Sequence, residues 1–570
     1  MKSMIWSMAA TLVAATGLTV SAATTTGDGE RMTRQLGDSN EIPLAPPKYR
    51  RPPNYAPKPY PKRLAELSRE HSAEWRARAK KEMARIDSVI AAGPYKAEGA
   101  SLDGHRCPEW FMDAKFGVLI DWSIAAVASW SPYRLKSAMY PDWYEKRAYM
   151  DWPTNSPFHG WYDYHKKNWG EDFRRDHFID LFTAEKFDAD ALCRTFKECG
   201  ARYCVPFVKH HSGYCHWDSS WTFRTTALRG PRRDFAAEYR RACDRHGLKM
   251  GFYFSLGEWE YPMLRDDGSI EMYMEEQRRE PWTEEMEAVA SGKVAVRDYL
   301  REYSIPQAAE FIDRYRPDIL WYDYDWLQYA DKIGSYEITA YFYNVNAGKK
   351  EVCVNDRYGW GRPADLAGRI PKGKKPSYKS QRCVRGDFYT DELGDNIRSL
   401  DPKSYHVWEC NRGISCAYGN HWQDDDTTVL SRKGIVCVFA DIVALGGNLG
   451  LIVNLDKDGD IPAIQRDRIE TLGRWIRRWG EGIYTTRIVA PFSTPDVDYT
   501  RAKDGSRIFA IVKNPAPVVT LEGEAAQRPT VRVLGAATPL KAERRGAKLA
   551  VTVPDEFAAA EMPFVLELTK

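Results

Sequence analysis

From about residue 63 to 93 apolar residues recur at helical spacing with a charged opposite face ("RLAELSREHSAEWRARAKKEMARIDSVIAA"), which predicts one long amphipathic helix. Beyond it the period changes. Short β-rich runs appear at "FGVLIDW" (116–122), "YCVPFVKHH" (203–211), "KMGFYFSL" (249–256), "DILWYDYDW" (318–326), "EVCVNDR" (351–357), "YHVWECN" (405–411) and "NLGLIVNL" (448–455). Helical stretches such as "DALCRTFKECG", "DFAAEYRRACDRHG" and "IPQAAEFIDRYRPD" lie between them. Strand–helix alternation of this length predicts a parallel α/β domain of the (β/α)8-barrel kind, with one strand not located. A doubly wound sheet is the rival, but no GxGxxG follows the first strand and no GxxxxGK[ST] occurs. After "RDRIETLGRWIRRWGEGIY" only short alternating strands and turns remain, which predicts a small C-terminal antiparallel β-sandwich.

The N-terminus, "MKSMIWSMAATLVAATGLTVSAATTT", has a lysine, an apolar run and small residues before a cleavage point after Ala22. It reads as a secretory signal; the run is too short and interrupted for a single-pass anchor, and no other segment approaches a membrane span. The expected organisation is therefore a signal peptide (1–22), a Pro-rich linker or arm (23–62), a helical extension (63–105), a catalytic barrel (106–487) and a sandwich (488–570).

Composition narrows the function. Lys+Arg 82 against Asp+Glu 79 leaves a net charge of +3, so no global field points to nucleic acid or anionic membrane. The 20 tryptophans favour carbohydrate, because indole faces pack on C–H-rich sugar faces while each N–H serves a hydroxyl. The 11 cysteines are scattered without CxxC pairs, and no disulfide is assigned. No metal and no cofactor are expected. His210 and His211 are strand neighbours that point to opposite faces, and "DKDGD" (456–460) lacks the spacing of a calcium loop.

Polar and acidic residues gather at the C-terminal ends of the predicted strands: Asp121, His210 and His211, Glu258, Asp323, then Asn355, Asp356 and Arg357, and Glu409. In a barrel these ends meet at one face, where active sites are built. Two carboxylates among hydrogen-bonding groups and tryptophans suit glycoside hydrolysis, one attacking or activating water and the other protonating the leaving oxygen. Asp323 taken alone reads equally well as a structural cap paired with an arginine, and the histidines as satisfied strand-end residues.

Several motifs, in order, resemble the α-L-fucosidases of glycoside hydrolase family 29 from about residue 107 to 487. They include "WFMDAKFGVLIDW", "MYPDWY", "GARYCVPFVKHHSGYCHWDS", "HGLKMGFYFSLGEW", "QAAEFIDRYRPDILWYDYDW", "VNDRYG", "GDFYTDE", "VWECNRGISCAYG" and "GGNLGLIVNLDKDGDIP". The resemblance implies a retaining exo-glycosidase in which Asp323 is the nucleophile and Glu392 the general acid/base, with Glu258 and Glu409 in reserve for the latter. It implies glycon contacts from His210, His211, Tyr253, Trp321 and Arg357, and from Asp142 and Trp143, which stand where the family has Glu-Trp. Asp323 is expected to be ionised and Glu392 to have a raised pKa. Asp325 has no role assigned beyond pairing with a base at the rim.

Three departures from the family pattern bear on specificity. Asp121 replaces a sugar-contacting histidine, Ser212 replaces the aspartate after the histidine pair, and Cys416-Ala417 replace Trp-Gly. The leading expectation is an exported retaining α-L-fucosidase acting on a fucosylated glycan. The alternatives are a related exo-glycosidase for an α-L-galactoside or a decorated fucoside, and a non-catalytic glycan-binding protein on a degenerate barrel.

Overall fold

The computed structural model describes residues 42–57, 62–132, 140–149, 160–274, 292–362, 382–392, 407–415 and 418–570. The signal segment and the Cys416-Ala417 departure lie outside them.

Eight parallel strands form the central sheet: β1 (Phe116–Asp121), β2 (Tyr203–Lys209), β3 (Lys249–Ser255), β4 (Ile319–Asp323), β5 (Cys353–Val354), β6 (Tyr389–Glu392), β7 (Trp408–Gly413) and β8 (Asn448–Asn454). Their order is β6-β7-β8-β1-β2-β3-β4-β5. The two ends of that order meet. Asn355, just past β5, forms a parallel bridge with Phe388, just before β6, and Asp387 N–H donates to the Val354 carbonyl at 2.8 Å. The sheet is thus a curled barrel with a thin seam between β5 and β6.

β6 is the strand that the hydrophobic pattern misses. Its sequence, "YTDE", has no apolar run, and side-chain pins hold it in place. Asp356 accepts from the Thr390 amide (3.0 Å) and hydroxyl (2.7 Å), and the Asp387 carboxylate accepts from the Val354 amide at 2.9 Å.

Alternation along the strands separates two apolar layers. Leu119, Val205, Phe207, Tyr253, Ile319, Trp321 and Ile452 fill the barrel interior with Phe111 and Phe388. Val118, Ile120, Val208, Phe252, Phe254, Leu320 and Tyr322 face outward into the core shared with the helices. Both faces of strands such as β1 and β2 are buried, which is why they read as near-continuous apolar runs.

The helices of ten residues or more are α1 (Lys62–Ala92), α2 (Ala189–Glu198), α3 (Phe235–His246), α4 (Ile305–Tyr315), α5 (Ser335–Asn346), α6 (Arg432–Ala444) and α7 (Ala463–Trp479) among the described residues. Their ends follow local chemistry. Asp188 and Asp234 cap α2 and α3 by accepting first-turn amides, each worth about 1 kcal/mol. α3 stops where Gly247 turns left-handed (φ 63°).

The Pro-rich segment from 42 to 57 lies along the barrel. Ala45 N–H donates to Asn168 (2.7 Å), Lys48 pairs with Asp456 (2.7 Å) and Asp458 (2.9 Å), and Tyr55 donates to Asp180 (3.0 Å). Among the described residues no helix is long and apolar enough to cross a membrane.

Residues 486–569 form two antiparallel sheets. The first, β9 (Thr486–Ser493), β10 (Val497–Ala502), β11 (Arg507–Val512), β13 (Thr530–Val533) and β16 (Phe564–Thr569), has the order β9-β10-β11-β16-β13. The second, β12 (Val518–Leu521), β14 (Ala542–Arg545) and β15 (Lys548–Thr552), has the order β12-β15-β14. A buried charge cluster joins this unit to the barrel: Lys513 lies 2.7 Å from both Asp441 of α6 and Asp498 of β10. Lys513 and Asp498 have fully buried side chains. Lys513→Ala leaves two buried carboxylates without their cation and should destabilise the protein by about 3–5 kcal/mol in urea denaturation.

Candidate active site

A cavity of about 490 Å³ opens at the C-terminal end of the barrel, lined by Asp142, Trp143, His211, Tyr253, Trp321, Asp323, Arg357 and Glu392 among others. Eight of the ten residues expected from sequence therefore converge on one space. Asp121 and His210 stand just behind it: Asp121 shares a small side pocket with Asp142, and His210 Nε2 lies 3.2 Å from Asp142 Oδ2.

Strand geometry explains the convergence. Ile319, Trp321 and Asp323 sit at alternate positions of β4, so Asp323 continues the inward face at the rim. Glu392 ends β6 and pairs in register with Asn411 of β7, which lines the same cavity. Arg357, just past β5, reaches across the seam. Its Nη1 donates to Asp323 Oδ1 at 2.7 Å, its Nη2 bonds Glu392 Oε1, and its Nε donates to Thr390 at 3.2 Å. One guanidinium thereby holds both carboxylates, and its flat face lies 4.9 Å from the centre of the Trp321 ring.

The two acids have different surroundings. The Asp323 side chain is 14% exposed and that of Glu392 34%, so Asp323 sits deeper. Tyr253 donates to Asp323 Oδ2 at 2.5 Å. Burial nevertheless dominates at Asp323 and moves its carboxyl above the ordinary range; Arg357 and the Tyr253 hydroxyl pull it back, while Asp325 and Glu392 push it further up. The expectation of an acid held simply in its ionised form thus meets an opposing desolvation. Asp325 itself is buried beside it.

The histidines also differ. The single Ser255 hydroxyl proton goes to the Gly257 carbonyl (2.5 Å), so Ser255 Oγ accepts from His211 Nδ1 at 2.7 Å. His211 therefore carries its proton on Nδ1 and presents the Nε2 lone pair 3.8 Å from Asp323. Burial, with the nearby positive charge of His210 and Lys146, holds its pKa well below the usual imidazole value. At His210 burial acts downward too, but Asp142, Asp121 and Glu145 outweigh it and raise the pKa.

Tyr324 turns the chain directly after Asp323 with a left-handed backbone (φ 70°), which for a bulky residue stores about 1–3 kcal/mol of strain. Its ring stacks on His211 with centroids 4.6 Å apart. Gly257 makes room for that ring: a Cβ there would lie 2.5 Å from Tyr324 Cδ1.

Neither reserve acid reaches the cavity. Glu258 is fully buried between Lys293 (2.6 Å) and Lys209 (3.5 Å) and accepts from Tyr303 at 2.7 Å. Glu409 was expected to close its strand, but β7 runs to Gly413, which puts Glu409 near the strand's start and inside the barrel. Sequence reasoning also omits Tyr140, Arg147, Phe207, Trp326, Trp360 and Tyr418 from the lining. Phe207 carries a signal, inward alternation with Val205, whereas the other five come from loops, a short helix (Tyr144–Arg147) or a short hairpin whose path only the fold defines.

Among the described residues, one group has the spacing to bind a metal. Cys193, Cys204 and Cys243 bring their sulfurs within 4.8 Å of one another. All three are completely buried in the barrel wall, away from the cavity, so they offer no open coordination position to a substrate.

The family model for α-L-fucosidase matches residues 82–481. Plasma α-L-fucosidase of Homo sapiens is 28% identical over 417 residues, covering 72% of this chain and 77% of the relative. Tissue α-L-fucosidase of Bos taurus is 27% identical over 399 residues, covering 69% and 72%. The crystal structure of Thermotoga maritima α-fucosidase in complex with fucose has a TM-score of 0.63 at 29% identity, covering 83% of this chain and all of that one.

The raised pKa of Asp323 has a consequence for stability. A carboxyl with a folded pKa above its unfolded value contributes stability below about pH 3.9, and that contribution is lost as pH rises through the folded value. Above the folded value the ionised side chain is therefore a burden that a neutral isostere lacks. Asp323→Asn should gain in melting temperature over the wild type as pH rises from 4 to 7, in thermal scans at both pH values.

Proposed function

The chain belongs to the α-L-fucosidase family, and on that premise we propose that it is an exported, exo-acting retaining α-L-fucosidase that releases terminal fucose from glycans. The observation that carries this reading is the pair of carboxyls, Asp323 and Glu392, gripped by the one Arg357 guanidinium at the mouth of a closed-ended cavity. A shared guanidinium favours the shorter separation of a retaining pair, roughly 5–5.5 Å, over the roughly 6.5–9.5 Å that leaves room for water in an inverting one.

In the first step an Asp323 oxygen attacks the anomeric carbon while Glu392, the more exposed acid, gives its proton to the departing glycosidic oxygen. The product is a glycosyl ester on Asp323. In the second step Glu392 takes a proton from water, the water oxygen attacks the same carbon, and the ester bond breaks to return the Asp323 carboxylate. Arg357 serves both steps by stabilising negative charge on whichever carboxyl carries it. His211 offers an acceptor at Nε2 for a sugar hydroxyl, and Trp143 offers a flat face for its C–H edges. Export rests on the N-terminal segment, "MKSMIWSMAATLVAATGLTVSA".

One observation favours a second reading, an α-L-galactoside or otherwise oxygenated fucoside. Asp121 and Asp142 are buried carboxyls that share a side pocket just behind the cavity, and Asp121 stands where the family pattern has a histidine. Buried carboxyls are normally hydrogen-bonded, and an extra substrate hydroxyl supplies a donor.

Aryl α-L-fucoside and α-L-galactoside hydrolysis, measured side by side, tests both. Fucoside turnover that falls by about 10⁴-fold in Asp323→Ala supports the fucosidase and its nucleophile. Galactoside turnover alone supports the second reading, and proton NMR of the first-formed sugar must show retained configuration in either case.

A further inference from the structure

Beneath the cavity floor lies a carboxyl that touches no substrate space. Glu409 is completely buried. Its Oε1 accepts from the Trp321 indole N–H at 2.9 Å and its Oε2 from the Tyr203 hydroxyl at 2.5 Å. Room for it comes from the neighbouring strand: a Cβ at Gly450 would lie 2.8 Å from Glu409 Cδ. A chain that needed only to fill this space would do so with an apolar side chain, because an acid here must overcome desolvation.

What the acid holds is the ring on which the catalytic face rests. Trp321 stacks on Tyr253 (centroids 5.4 Å apart, 19° between planes) and lies under the Arg357 guanidinium. Tyr253 in turn donates to Asp323, and Arg357 to both Asp323 and Glu392. We propose that Glu409 is a positioning residue that fixes the Trp321 ring plane, and through it the Tyr253 and Arg357 contacts that set the two carboxyls for the reaction. The role rests on the glycosidase reading above.

The device responds to protonation. Burial pushes Glu409 up to about 7, against the hydrogen bonds of Tyr203 and Trp321 and the charge of Arg357. The other titratable group facing it is the Cys353 thiol of β5. As a carboxylate Glu409 accepts both donors. When protonated, its own hydrogen competes with one of them and loosens the anchor.

The test combines kinetics with the indole N–H itself. In ¹⁵N-tryptophan-labelled protein the Trp321 resonance, identified by its loss in Trp321→Phe, should shift with a midpoint near pH 7 in the wild type and stay fixed across pH in Glu409→Gln. Glu409→Leu should lower kcat about tenfold or more with KM changed less than about threefold, and Glu409→Gln should recover part of that loss. In the Trp321→Phe background, Glu409→Leu should lower kcat by less than about threefold, since the partner is already gone. If Glu409→Leu does not fold, Tyr203→Phe replaces it and must move the same resonance. An equal loss in both backgrounds, or a Trp321 resonance indifferent to Glu409→Gln, overturns the proposal. The resonance needs no substrate, so a wild type inactive on every fucoside and galactoside would count against the glycosidase reading alone.

Discussion

The whole catalytic face depends on where one guanidinium sits. Arg357 bonds Asp323 with one nitrogen, Glu392 with a second and Thr390 with a third, while its face rests on Trp321. Those partners come from β4 and β6, whereas Arg357 itself follows β5, so the side chain also spans the thinnest part of the barrel. Lysine could not take its place, because a point charge makes neither the fork nor the flat contact. Much of the polar chemistry nearby orients that fork. Asp356 pins Thr390, Tyr253 balances the second Asp323 oxygen, and Glu409 steadies the ring below.

The fold was legible wherever burial wrote a period into the chain. Seven barrel strands show as apolar runs, and α2, α3 and α4 begin and end near their caps and turns. β6 escaped because "YTDE" is recruited by hydrogen bonds that Thr390 donates to Asp356, and it has no apolar run to advertise it. The same physics limited the reading of the site. Asp323 stands out as an acid at the end of an apolar strand, and inward alternation from Trp321 places it. Glu392 had only its motif. Glu409 was assigned to a strand end because the run appeared to stop at Asn411, and two further residues of pairing turned a rim acid into an interior one. The rim aromatics Trp326 and Trp360 belong to a turn and a short hairpin whose direction no local pattern encodes.

Charge is arranged differently on the two sides of the cavity. On the Asp323 side, Arg357 and Tyr253 counter the desolvation of a buried acid. On the far side, Asp121 and Asp142 are two acids beside one histidine, His210, with burial and mutual repulsion raising Asp121. The family's histidine at that position could both donate and accept, whereas a carboxyl here must be protonated before it can donate. The departure at Asp121 therefore changes the hydrogen-bonding groups behind the cavity wall, on the side away from Arg357.

The seam between β5 and β6 gives the two carboxyls unequal mounts. Asp323 ends a strand flanked on both sides by paired neighbours, β3 and β5, within the run of parallel ladder. Glu392 ends a four-residue strand with a full ladder only on its β7 side; toward β5 it has a single bridge and a few carboxylate pins. Local opening is easiest where backbone hydrogen bonds are fewest. On the proposed assignment, the attacking group is accordingly carried by the better-paired strand and the proton donor by the more weakly paired one. That division suits a cycle in which one acid must hold still through bond formation and the other must first face a departing alcohol and then an arriving water.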